Sequence, residues 1–199
     1  MDEDRHLAVA MGLLEQRGLL LLQDPCFPNL VSLIAGEAVR GSWWGHAQGN
    51  TIYRVGERLG EQPDVTTAKL ISGKVTFVHR SLWPQLIAVG RARAPWQMRD
   101  LGSDSMTLLA RIDAKRRVMA SGKSAKRLEL RLLVAGREVH TESGRHATEL
   151  LHWDGFAERR GLDVALPSPA RSRADLEAVV GALNAEFTAR GTLAWQGGG

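Results

Sequence analysis

Leu7, Met11, Leu14 and Leu21 fall on one stripe of a helix that the spacing predicts from about His6 to Leu22, although Gly12 and Gly18 weaken its middle. Pro25 and Pro28 then interrupt the backbone. Asn29 is placed to cap a second helix, with Leu30, Val31, Leu33 and Ile34 as its apolar side and Gly36 as its stop. The glycine-rich string Arg40-Gly41-Ser42-Trp43-Trp44-Gly45-His46 predicts no regular element. Asn50 or Thr51 opens a third helix that runs to about Glu61, where Ile52, Val55 and Leu59 keep helical spacing and Pro63-Asp64 follows.

The period then changes. Val65 to Ile71 and Val75 to Val78 are rich in β-branched residues, and Ser72-Gly73-Lys74 between them reads as a tight turn. Arg80 or Ser81 begins another helix with Leu82, Trp83, Leu86, Ile87 and Val89, its Pro84 tolerated in the first turn. Ser103 or Asp104 starts a helix carrying Met106, Leu109 and Ile112, with Val118 as its furthest extent. Residues Lys126 to Val134 suit either a helix or a strand, and the spacing leans to a helix. His146 to Arg160 is predicted as a helix with Leu150, Trp153, Phe156 and Ala157 inward, and Ser172 as the cap of a last one. The fold class expected is α+β, mainly helical. A winged-helix-like unit over 1–95 contains the β-hairpin and packs against a basic helical region (96–162), followed by a C-terminal helix and tail (163–199).

Charge sharpens this division. Residues 1–64 hold five Arg against nine Asp/Glu, whereas residues 65–99 hold six Lys/Arg and no acid. Residues 111–137 hold nine Lys/Arg against Asp113 and Glu129. Such a stretch focuses an attractive field for phosphates. A nucleic acid, DNA in particular, is therefore the expected partner. Lys74, Arg80, Arg91 and Arg93 are the expected phosphate contacts, and Lys115, Arg116 and Arg117 extend the path. The single cysteine excludes an internal disulfide and a cysteine-based zinc site. An acidic start and the lack of any bilayer-length apolar run lead to the expectation of a cytoplasmic protein with no membrane association.

Two strings suggest chemistry. Trp43 and Trp44 between glycines offer a stacking wall for a base, and His46 beside them a phosphate contact or proton carrier. Glu142, His146 and Glu149 would share a face if 140–152 were helical, a geometry for acid–base work or metal ligation; ordinary surface pairing competes with both. No metal or other cofactor is expected. Gly122-Lys123-Ser124 lacks the glycine spacing of a phosphate-binding loop.

The hairpin at Lys74 and the run Val75-Thr76-Phe77-Val78-His79-Arg80-Ser81-Leu82-Trp83 resemble the wing and following helix of winged-helix DNA glycosylases, over residues 40–90. The resemblance implies a DNA-facing fold. It does not extend to catalysis, because the chain lacks a Gln-x-Gln motif to inherit that role. Beside simple nucleic-acid binding stand two alternatives. One is a base-processing enzyme with His46, Glu142 and His146 as catalytic groups, and the other is a scaffold for a protein partner.

Overall fold

The computed structural model describes residues 2–140, 146–163 and 165–197. Helix α1 (Asp2–Arg17) ends at Gly18, and the next three leucines form strand β1 (Leu19–Leu21) rather than a last helical turn. The reason lies in two-sided burial. Leu19 and Leu21 face one core and Leu20 another, so the strand reads as an unbroken apolar run that helical spacing absorbs. Helix α2 (Leu30–Ala35) has the expected cap, with the Asn29 side chain accepting from the Ser32 N–H, and stops at Gly36. Helix α3 (Gly49–Gly60) buries Ile52, Val55 and Leu59 against α1 and α2.

Strands β2 (Val65–Ile71) and β3 (Lys74–His79) form the predicted hairpin. Ser72 and Gly73 both have positive φ, at 50° and 68°, as a two-residue turn matched to strand twist requires. The sheet order β1-β3-β2 completes a winged-helix-like unit. A 3₁₀ turn at Arg80–Leu82 leads into α4 (Trp83–Arg91), and a short α5 (Pro95–Met98) follows.

A related plan then recurs. Helix α6 (Ser103–Lys115) ends at Arg116, whose φ is 61°, so Val118 belongs to strand β4 (Arg117–Ala120) and not to the helix. Helix α7 (Gly122–Leu130) precedes strands β5 (Ala135–His140) and β6 (His146–Leu151). Their order, β4-β6-β5, repeats that of the first sheet, with the third strand in the middle. The expectation of helix from His146 onward is thus corrected: residues 146–151 are strand, and α8 spans only Trp153–Arg159. Leu150 and Leu151 face different cores, the same two-sided burial that hides β1. The C-terminal region as a whole remains largely helical, closing with α9 (Pro169–Phe187), which is capped by Ser168 instead of the buried Ser172.

Three cores result. One fills the first unit under α1–α3, and another fills the second under α6 and α7. The third is the seam, where Trp83, Leu86 and Ile87 of α4 meet Trp153 and Phe156 of α8 and Leu176, Val180 and Leu183 of α9. Both tryptophans begin a helix directly or shortly after a hairpin, and both donate their indole N–H to a carbonyl: Trp83 to Val78 at 3.1 Å, Trp153 to Leu132 at 2.8 Å. Gly90 of α4 lies flush against the Trp153 indole, in a space that a Cβ would occupy.

Candidate nucleic-acid interface

The joint between the two units opens as a cleft of about 790 Å³. Its first wall is the segment that leaves β1. There Asp24 accepts the backbone N–H groups of Cys26 (2.8 Å) and Phe27 (3.0 Å), and the Gln23 amide donates to the carbonyls of Val39 (3.1 Å) and Gly41 (2.8 Å). These bonds tie the strand exit to the loop that carries Arg40 and Trp43. The hairpin supplies Lys69 and Lys74, and α7 brings Lys126 from the second unit. Four cations thus line the cleft with one carboxylate, Asp24.

That carboxylate is already paired. Lys74 Nζ lies 2.6 Å from Asp24 Oδ2, and the Asp24 side chain is only 8% exposed. Burial pushes the Asp24 carboxyl up, but the Lys74 hydrogen bond and the Phe27 and Cys26 N–H groups outweigh it and hold it below the ordinary carboxylate range. Arg40, Lys69 and Lys126 make no ion pair among the described residues. The hairpin tip is equally committed: the Ser72 N–H donates to the Thr192 carbonyl at 2.7 Å, and Gly73 packs on Leu130 of α7. It braces the two units and does not project as a free wing.

Trp43, buried in a 3₁₀ turn at Trp43–Gly45, forms part of the cleft wall. Trp44 stacks on it at 4.2 Å and 21°, yet remains 63% exposed. The paired tryptophans therefore differ, one packed and one facing solvent. His46 does not line the cleft. Its Nδ1 accepts from the Gln48 N–H at 3.2 Å, and its Nε2 lies 3.6 Å from Glu37. Of the acid–imidazole cluster, Glu142 lies outside the described residues, and His146 enters β6, its backbone in register with His140. The shared helical face required of His146 and Glu149 does not form, because residues 146–151 are a strand and not a helix. Glu149 is buried between Arg117 (3.2 Å) and Arg159 (3.1 Å).

Of the other expected phosphate contacts, Arg80, Arg91, Arg93 and Arg116 sit in ion pairs away from the cleft lining. Arg80 holds Asp64 at 2.9 Å, Arg91 and Arg116 share Asp154 at 2.8 Å each, and Arg93 pairs with Asp113. Lys115 is exposed and makes no ion pair among the described residues. His152 completes this network, its Nδ1 accepting from the Asp154 N–H at 3.1 Å and lying 2.9 Å from Arg116. Burial lowers its pKa, and the opposing pull of Asp154 does not restore it.

Sequence reasoning passed over Arg40 and Lys69, and it missed a face of α7 on which Lys123, Lys126 and Arg127 are all exposed. The signal for that face was present in their spacing of three and four residues, which puts them side by side on a helix. Arg127 turns to the carbonyls of Asp100 (3.3 Å) and Leu101 (3.2 Å), while Lys123 and Lys126 carry no carboxylate partner among the described residues. Also among the described residues, no group of three His, Cys, Asp or Glu side chains is disposed to hold a metal ion, and no helix is long and apolar enough to cross a membrane. Compared with known protein families, curated proteins and solved structures, the chain has no significant match to any.

Proposed function

We propose that this protein binds nucleic acid, DNA foremost, through the inter-unit cleft and the adjoining face of α7. The observation that carries this reading is the imbalance of charge in the cleft: Arg40, Lys69, Lys74 and Lys126 against Asp24 alone. Lys126 belongs both to the cleft and to the exposed face with Lys123, so the positive surface continues from one to the other. Phosphates laid along it release counterions in proportion to the cations they meet. Trp44, stacked on the cleft-lining Trp43, adds an exposed ring on which an unpaired base stacks.

Arg80, Arg91, Arg93 and Arg116 join as outer contacts. Their ion pairs are at least partly solvent-exposed, and such pairs add little net stability, so a phosphate can replace the carboxylate at small cost. The test is fluorescence anisotropy with labelled single- and double-stranded DNA and RNA across a salt series. Association at micromolar concentration or tighter, falling as salt rises, is the expected result. No association with any of the four at low salt would rule the reading out and leave a protein partner as the better one.

A further inference from the structure

A second cleft, of about 560 Å³, lies on the other strand edge of the inter-unit joint. Strand β2 is an edge of the first sheet and β5 an edge of the second. The two approach closely enough for the Thr67 hydroxyl to reach the Gly136 carbonyl at 3.5 Å. Thr66, Thr67, Arg137, Arg159, Arg160 and Glu61 are among the residues lining the space between them.

The arginines there are unevenly neutralised. Arg160 donates to two carbonyls, Pro63 and Val65, each at 3.1 Å, and lies over the Trp83 ring at 5.1 Å. It has no carboxylate within ion-pair distance among the described residues. Arg159 shares Glu149 with Arg117, one oxygen each, so a single carboxylate serves two guanidinium groups. Arg137 is exposed and likewise carries no ion pair among the described residues. Burial first, and then the like charge of Arg137, holds Arg160 below the ordinary arginine range, with Asp64 offsetting only part of this. Guanidinium groups gathered in this way repel one another until an anion lies between them, and their planar forks match phosphoryl oxygens.

We propose that this second cleft binds a phosphoryl group, gripped by Arg137, Arg159 and Arg160, with Glu61 the opposing carboxylate in its lining. The group belongs either to a small free phosphate compound or to the terminal phosphate of an oligonucleotide. The site is separate from the Lys126 surface and does not depend on that surface binding anything.

The test follows the indole N–H resonance of Trp83, which lies beneath Arg160, with that of Trp195, which lines neither cleft and donates to Glu177, as the control. Pyrophosphate and a short oligonucleotide, with and without a 5′-phosphate, are titrated into the full chain. A saturable shift at Trp83 with a Kd below about 1 mM is expected. Saturation by pyrophosphate identifies a free compound as the source, while response only to the 5′-phosphorylated oligonucleotide identifies a strand end. Arg137→Ala, on an exposed side chain that leaves the Arg160 contacts in place, should weaken binding about tenfold, a loss of one hydrogen-bonded charge contact. Glu61→Gln should tighten it, and Lys126→Ala should leave it unchanged. No saturable shift with any probe, or a shift indifferent to Arg137→Ala, overturns the proposal.

Discussion

The first and second units share a plan and differ in what they do with charge. Each runs from a helix through a short strand to a second helical segment and a hairpin, and each places the last strand in the middle of its sheet. Each hairpin leads into an imidazole that caps the next turn, His79 at the end of β3 for Ser81 and His152 just after β6 for Asp154. The helix before the hairpin is α3 in one unit and α7 in the other. Yet Arg54 and Arg58 of α3 are held by Glu3 and Asp4 of α1, at 3.4 and 2.7 Å, whereas Lys123 and Lys126 of α7 face no carboxylate among the described residues. A shared backbone plan therefore does not transmit a shared surface. What decides a cation's availability is the acid that the fold brings opposite it, and the acidic start of the chain spends itself on α3.

The strongest way to break the comparison is at the seam. Trp83 and Trp153 are almost wholly buried in equivalent places, so Trp83→Ala and Trp153→Ala should each cost about 3–5 kcal/mol in urea denaturation. A variant costing less than half its counterpart would show that the two units do not lean equally on their leading tryptophans. Gly90→Ala should follow at about 1–3 kcal/mol, because overpacking against the Trp153 indole outweighs the better helix propensity of alanine. A stabilised Gly90→Ala protein would mean that the helices separate without cost.

The lysines sharpen it further. Lys74→Ala leaves the Asp24 carboxylate buried without its cation and should cost about 2 kcal/mol, while Lys126→Ala should stay within about 0.5 kcal/mol of wild type. Equal costs would place the two in the same role. The smallest effect is expected from pH. With the folded pKa of His152 below its unfolded value of about 6.5, the unfolded chain binds the extra proton first, so its contribution is complete above that pH and lost as pH falls through the folded pKa. Replacing His152 by Gln should flatten stability over the mildly acidic range just below neutrality; a slope unchanged by the substitution would remove His152 as its source.

Much of the first unit was legible because its signals are local. Asn29, Gly36 and the Ser72-Gly73 turn act through their own backbone, and α3 has one clean apolar face. The strands at Leu19–Leu21 and His146–Leu151 were not legible as strands. Consecutive leucines there serve two cores at once, which removes the alternation that marks a strand with one buried face. The site was half legible for a related reason. Trp43 and Lys74 do meet in one cleft, but the acid-free run from 65 to 99 said nothing about Asp24, Asp64, Asp113 and Asp154, which approach its cations from elsewhere in the chain. Glu149 likewise looked like a partner for His146 on a helix and is instead clasped by two arginines.

The most direct test of the account compares the two helices that precede the hairpins. Salt-dependent binding of labelled DNA is measured for wild type, for Lys123→Ala/Lys126→Ala and for Arg54→Ala/Arg58→Ala. Removing two phosphate contacts from α7 should lower the steepness of log affinity against log salt by about 2 and weaken binding across all sequences. The arginine pair of α3, already engaged with Glu3 and Asp4, should leave the slope close to that of wild type. A slope lost with the α3 pair and kept with the α7 pair would contradict the account.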